Sequence, residues 1–250
     1  LNLNTSQSAS FLVGPGENRL SLTIWLSFFD KCTITLVSPS GERHTILPGF
    51  DMVVLDGVRL AILDKEPTPF NINREIRLLW AEESAPSGLW EIEFAPIKIS
   101  LGEVNMWLPI SDRLRGDTRF INPTFETTLT IPSTASRAIS VGAFNQNRNA
   151  IAPFSGQGYT SDNRIKPDIV APGVDVRTLS QTGTALNTGT SFAAPFISAL
   201  AARLMSEGIV DGSDPFLYGE RLKAFIIREA LPLEGAGNTP NPEIGWGRIE

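Results

Sequence analysis

Asn187-Thr188-Gly189-Thr190-Ser191-Phe192-Ala193-Ala194-Pro195 opens a run that stays apolar as far as Met205, and it decides the fold of the second half of the chain. Residues 191–206 predict a helix that is apolar almost all round. A helix without a polar face belongs inside an α/β layer structure. Pro195 falls in its first turns, where a missing backbone donor costs least. A serine at such a helix start has three advantages. The preceding Gly189 lets the chain turn sharply and lets another backbone come close. The helix N-terminus offers free N–H groups and a positive dipole end where an oxyanion can form. The rigid helix then fixes the hydroxyl in position. Taken by themselves these residues also fit a simpler role, in which Thr190 or Ser191 caps the helix.

Around this helix the composition is mixed. Ala138-Ile139-Ser140-Val141-Gly142-Ala143-Phe144 predicts a buried strand ended by a glycine. Pro167-Asp168-Ile169-Val170-Ala171-Pro172-Gly173 predicts a short one between prolines, and residues 218–230 a second helix with Leu222, Phe225, Ile226 and Ile227 on one face. Before residue 125 the character changes. Residues 20–26, 33–37, 52–55, 59–63, 75–80, 89–94 and 104–108 are short β-rich runs between turn signals such as Ser38-Pro39-Ser40-Gly41. Strands at this spacing predict an all-β jelly-roll sandwich over residues 1–125, followed by an α/β unit over 126–250. The chain shows no internal repeat.

The bulk numbers set limits. With 250 residues, one large or two modest domains fit, and 42% hydrophobic content excludes wholesale disorder. Lys plus Arg number 21 against 27 Asp plus Glu, for a net charge of −6, so an electrostatic nucleic-acid binder is not expected. No membrane span is expected, since no stretch reaches roughly 18 uninterrupted apolar residues. The single cysteine, Cys32, excludes an internal disulfide and reads as a small buried hydrophobe; the single histidine, His44, excludes a two-histidine metal site. Asp51, Asp56, Asp64, Asp112 and Asp117 are loop acids; a structural calcium stays open in a sandwich but no ligand spacing supports it, and no cofactor is expected. Trp25, Trp80, Trp90 and Trp107 alternate with strand residues and read as core packing rather than a sugar-stacking platform. The chain opens on Leu1 and closes on Gly245-Trp246-Gly247-Arg248-Ile249-Glu250, inside a segment that reads as ordered, so a piece of a longer protein is expected.

Four collinear motifs carry a family resemblance. Gly189-Thr190-Ser191-x-Ala193-x-Pro195 resembles the nucleophile signature of subtilisin-like serine proteases. Phe154-Ser155-Gly156-Gln157-Gly158, Lys166-Pro167-Asp168-Ile169-Val170-Ala171-Pro172-Gly173 and Gly245-Trp246-Gly247 resemble that family's other motifs in the same order, and together they span about residues 130–250. The resemblance implies the C-terminal part of a subtilisin-like parallel-sheet core. It also implies Ser191 as nucleophile, Gly189 and Thr190 as oxyanion support, and residues 131–137 (Pro132, Ser133 and Thr134 among them) as a wall of the substrate cleft. A jelly roll ahead of the serine is similar to the order in clostridial Csp-type germination subtilases. Val37-Ser38-Pro39-Ser40-Gly41 and Gly88-Leu89-Trp90 also resemble the P-domain of kexin-like convertases, but there the sandwich follows the serine. A bacterial, spore-associated or extracellular setting is implied by the subgroup alone, and the lone cysteine leaves the compartment open.

The family's aspartate and histidine precede its serine in chain order. His44 lies in Gly41-Glu42-Arg43-His44-Thr45-Ile46, a turn running into a strand, rather than in the His-Gly-Thr helix start of the family, and is read as an exposed sandwich histidine. The Ala-Ala-Gly that leads to the oxyanion asparagine is absent, and Asn145 and Asn187 are poor substitutes by position. Asp168 is read as structural, accepting from backbone donors. The resemblance therefore implies a protein- or peptide-cleaving enzyme whose aspartate, histidine and asparagine come from an upstream half, with this chain inert in isolation. Two other roles stay open: an inactive relative that binds or regulates, and a sandwich that serves as a binding module.

Overall fold

The computed structural model describes residues 1–69, 71–80, 84–110, 113–181 and 183–249. Two units divide at Pro123 and Thr124, two residues before the change of composition expected at 125.

In the first unit, period-two alternation builds strands that bury one face. The strands are β1 (Gln7–Val13), β2 (Ser21–Ser27), β3 (Lys31–Val37), β4 (Arg43–Thr45), β5 (Gly49–Leu55), β6 (Val58–Lys65), β7 (Asn73–Trp80), β8 (Gly88–Lys98), β9 (Val104–Trp107) and β10 (Arg119–Phe120). They form two antiparallel five-stranded sheets, ordered β10-β1-β8-β3-β4 and β5-β6-β7-β2-β9. Leu22, Ile24 and Leu26 of β2 face Cys32, Ile34 and Leu36 of β3 and Trp90, Ile92 and Phe94 of β8 within one continuous core. Trp80 and Trp90 meet edge to face with centroids 5.2 Å apart, and the Trp90 indole N–H donates to Pro86 O, which makes burial of that polar atom tolerable. The expectation of core packing holds for Trp80 and Trp90, at 2% and 0% exposure. It fails for Trp25 and Trp107, which are half-exposed because they point to the outer side of the β2–β9 pair. Cys32 is buried as expected.

Asp30, buried at the β2–β3 turn, fastens the next crossing of the sandwich. Its carboxylate accepts the backbone N–H groups of Ser100, Leu101 and Gly102. Burial pushes its pKa up, but the three donors outweigh burial and hold the group below the usual carboxylate value. A depressed carboxylate contributes stability that is fully present above its unfolded pKa and is lost as pH falls through the folded one. The unit is therefore expected to lose thermal stability on acidification below about pH 4. Asp30→Ala, which leaves three donors without an acceptor, is expected to cost about 2–3 kcal/mol at neutral pH and to flatten that acid dependence in melts at pH 3 and pH 7.

The second unit contains β11 (Val141–Asn145), β12 (Ala150–Ile151), β13 (Gly158–Tyr159), β14 (Ile165–Lys166), β15 (Ile169–Pro172), β16 (Val176–Ser180), β17 (Gly183–Asn187), α1 (Thr190–Met205) and α2 (Gly219–Arg228). Strands β11 and β15 pair in parallel, Val141 opposite Ile169 and Ala143 opposite Ala171. The apolar faces of α1 and α2 cover that pair, through Ala193, Ile197, Leu222 and Ile226. A parallel pair covered by helices is the α/β layer the sequence implies.

One expectation needs correcting. Helix α1 buries only Ala193 and Ile197; Ser191, Pro195, Phe196, Ser198, Ala199 and Ala202 lie exposed. Its all-round apolarity therefore exceeds what this chain covers. With its continuation to Val210 it is also long and apolar enough by length and composition to cross a membrane. Its contact with β11 and β15 is that of a layer helix instead.

Candidate active site

The serine turn is held by three backbone segments stacked on one another. Gly173 N–H donates to Phe144 O at the end of β11, and Gly189 N–H donates to Gly173 O at 2.8 Å. Gly173 must be glycine, because a Cβ there would press on the Cβ of Ala143. Gly189 has φ 150°, a conformation that strains any side chain, and this redirects the chain from β17 into α1. The exposed ribbon β16–β17 thus delivers Thr188 and Gly189 to the helix start. Thr188 Oγ1 accepts the N–H of Asp175, which lies opposite it at the open end of that ribbon.

At the helix start Ser191 is exposed, and its hydroxyl makes no hydrogen bond among the described residues. Neither Thr190 nor Ser191 caps the helix: no side-chain cap bond exists. Phe192 N–H is taken by Gly189 O, whereas the N–H groups of Thr190 and Ser191 have no acceptor among the described residues. Pro195 lacks the N–H that would bond to the Ser191 carbonyl, so the first turn is held chiefly by its anchor to Gly189 and Gly173. An unengaged hydroxyl beside two unengaged N–H groups at a helix N-terminus is an arrangement that can attack a carbonyl and receive the resulting negative charge.

The remaining candidates separate into engaged and distant groups. Asn187 donates to Thr178 Oγ1 at 2.6 Å, and Asn145 Oδ1 accepts Asn147 N–H at 2.9 Å, so both side chains serve their own hairpins. The segment carrying Pro132, Ser133 and Thr134 is a pair of turns, Ser133 N–H to Thr130 O and Ala135 N–H to Pro132 O. Among the described residues its hydrogen bonds to other elements run to Arg164, whose Nη2 donates to Thr134 O, and to Lys223 of α2, whose Nζ donates to Ser136 O, rather than to Gly189–Ser191. The same Arg164, with the Thr160 hydroxyl, holds the Asp162 carboxyl down at about 2. His44 is half-buried rather than exposed: it sits on β4 with Nε2 3.0 Å from Asp51 Oδ2. That places it in the sandwich unit with a carboxylate neighbour of its own. Asp56 accepts from Ser38 and Ser40 and closes a loop of that unit, while Asp112 lies outside the described residues. Among the described residues no cluster of three or more His, Cys, Asp or Glu is disposed for a metal.

Sequence reasoning missed the company Asp168 keeps. The carboxylate accepts Ser140 N–H as expected, at 2.7 Å. It also receives Lys166 Nζ at 2.6 Å and Lys223 Nζ at 2.7 Å, and both ammonium groups reach Ala138 O. Lys166 is 2% exposed, and burial pulls its pKa below the usual lysine value against the opposing pull of Asp168. Beside this cluster, Trp246 N–H donates to Asp168 O, and Val170 N–H donates to Gly247 O. Gly245, at φ 62°, passes so close that a Cβ would overlap the carbonyl oxygens of Pro167 and Asp168. Gly245→Ala is accordingly expected to destabilise the second unit by about 2–3 kcal/mol, read as a lower midpoint in urea unfolding; an unchanged midpoint would show that the Gly245–Gly247 segment can shift away from Pro167 and Asp168 at little cost.

Sequence comparison agrees with this architecture. The subtilase family, Peptidase S8, matches residues 116–247, and the chain belongs to it. Across 98% of its length it is similar to the solved structure of the Clostridium perfringens CspB protease, at 31% identity and a TM-score of 0.88, and it covers 53% of that chain. It is 37% identical over 103 residues to the subtilase-type proteinase RRT12 of Saccharomyces cerevisiae, which is 40% of this chain and 19% of that protein. Over 134 residues it is 30% identical to bacillopeptidase F of Bacillus subtilis, which is 53% of this chain and 9% of that protein. The chain thus spans only a minor part of these two relatives and about half of the solved one.

Proposed function

We propose that this chain is the nucleophile-bearing part of a serine endopeptidase, with Ser191 forming the acyl-enzyme and an upstream half supplying the aspartate, the histidine and the oxyanion asparagine. The observation that carries this is the free hydroxyl of Ser191 beside the free N–H groups of Thr190 and Ser191. In the reaction Ser191 Oγ bonds to the scissile carbonyl carbon and its proton passes to the upstream histidine. The carbonyl oxygen becomes an oxyanion that the Ser191 N–H stabilises, with Thr190 beside it. Collapse of the tetrahedral adduct expels the amine, which takes the histidine's proton, and water then releases the acid by the same route. The exposed apolar side of α1 supports the upstream half as a physical partner, since a face of that kind is normally covered. We read the sandwich as a jelly roll, supported by the β1·β8 and β2·β7 pairings that fold the first strands back onto the last.

Fluorophosphonate labelling tests the proposal. The 250-residue chain in isolation is expected to stay unlabelled, because no base activates Ser191. Joined to its upstream half it is expected to label, and the label is expected to vanish in Ser191→Ala. A folded, joined protein that takes no label would overturn the enzymatic role and leave a scaffold that binds.

A further inference from the structure

The two sheets of the sandwich unit end in four edge strands, and the four differ. β10 has two residues and β4 three. β9 has four, and the incoming chain already covers its start: Leu1 N–H donates to Val104 O at 3.0 Å, and Val104 N–H donates back to Leu1 O at 3.0 Å. β5 has seven, and among the described residues no strand lies on its outer side. A long free edge offers unpaired backbone groups to another strand, and sheets usually blunt it with proline, lysine or a bulge. Gly49–Leu55 contains neither proline nor lysine. Its register with β6 runs unbroken from Gly49 opposite Asp64 to Leu55 opposite Val58.

The hairpin fixes which groups face outwards. Leu55 and Val58 close a two-residue turn on Asp56 and Gly57, at φ 51° and 75°, so Leu55, Val53 and Asp51 exchange ladder bonds with β6. Phe50, Met52 and Val54 therefore turn their N–H and C=O groups to the free edge. Their side chains share the outer face of the sheet, 65%, 50% and 57% exposed, whereas Val53 and Leu55 pack into the core. The strand's one charge, Asp51, points away from that face and lies 3.0 Å from His44 Nε2 of β4.

From these features we infer that β5 pairs antiparallel with β5 of a second copy of this chain, about a two-fold axis at Met52, joining two five-stranded sheets into one of ten. In that register Phe50 lies opposite Val54 of the second copy, and Met52 opposite its own counterpart. Every outward backbone group then meets a complementary one, and the apolar side chains pack across the new pair. Like charges do not meet, because Asp51 lies opposite Val53 of the second copy. Met52 N–H, which Asp51 Oδ1 accepts at 2.8 Å in the single chain, exchanges that acceptor for a carbonyl. A second copy is favoured over the rest of the parent protein, because the chain enters and leaves the sandwich away from β5. Leu1 is tied to β9, at the opposite edge of the same sheet, and the exit runs along β10, at the edge of the other sheet opposite β4. One strand pair is small beside the roughly 1200–2000 Å² of stable interfaces, so the dimer is a reversible one. It is independent of catalysis by Ser191.

Sedimentation equilibrium of the 250-residue chain from about 1 to 100 µM tests it. The weight-average mass is expected to rise with concentration from 27.2 kDa toward twice that value. Two double variants separate this pairing from association through any other surface, the exposed side of α1 included, since both lose the same apolar side chains. Phe50→Lys/Val54→Glu puts opposite charges across the pairing and is expected to dimerise. Phe50→Lys/Val54→Lys puts like charges there, and its dissociation constant is expected to be at least tenfold higher. Both positions are exposed, so the two variants are expected to melt at similar temperatures. A chain that stays monomeric across the range, or two variants that associate alike, would overturn the proposal.

Discussion

Ser191→Ala in the joined protease is expected to lower turnover on a peptide substrate by about 10⁶, the scale on which subtilases lose activity without their nucleophile. That factor corresponds to about 8 kcal/mol of transition-state stabilisation. The same substitution should leave stability within about 0.5 kcal/mol, because the hydroxyl is exposed and bonds to none of the described residues. The pairing of these two results is what discriminates. A serine that capped α1 would cost about 1 kcal/mol on removal and would be expected to affect the midpoint of urea unfolding before it affected chemistry. Kinetics of the joined protein and unfolding of the 250-residue chain can be measured separately. An active Ser191→Ala protein would remove Ser191 from the reaction altogether.

The second large effect lies at Asp168, where one carboxylate serves two lysines and a backbone N–H. Asp168→Ala strands the Lys166 ammonium in a site that is 2% exposed, with only the Ala138 carbonyl left to it. Breaking a buried ion pair from one side costs about 3–5 kcal/mol, because an uncompensated charge remains. The second unit is expected to unfold at a correspondingly lower denaturant concentration. Replacing Lys166 along with it, as in Lys166→Met/Asp168→Leu, should recover part of that loss by removing the buried ammonium, although Lys223 and the Ser140 N–H still lose their acceptor. If the double variant is no better than Asp168→Ala, the cluster's value lies in its hydrogen bonds to Ser140 and Ala138 rather than in charge.

What could be read in advance was what depends on a few adjacent residues. Gly189-Thr190-Ser191 announces a turn, a helix start and a hydroxyl, and the structure has all three there. The alternation of Leu20–Leu26 and Leu89–Phe94 shows in β2 and β8, within a residue or so at most ends. Strand β1 was not legible. Its Ser8-Ala9-Ser10 is too small and polar to alternate visibly, and the strand forms because it has β8 and β10 as neighbours on either side. Nor could the second lysine on Asp168 be read, since Lys223 lies on a helix 55 positions further along (223 − 168) and meets it only through the fold. The exposed side of α1 escapes the sequence for a related reason. Apolarity tells that a surface seeks cover, while how much cover the chain supplies is a property of its tertiary structure.

The pairing of β1 with β10 bears on how the sandwich folds. Leu12 lies opposite Arg119 and Phe11 opposite Phe120, and Ile121 N–H donates to Ser10 O, so the outgoing chain retraces the incoming one in the opposite direction. At these residues the two strands lie about one strand spacing (~4.8 Å) apart, while Leu1 is tied to Val104 of β9, in the other sheet. A ladder that joins the first strand to the last can close only once the strands between them have folded back, so completing this sheet is a long-range and slow step of folding.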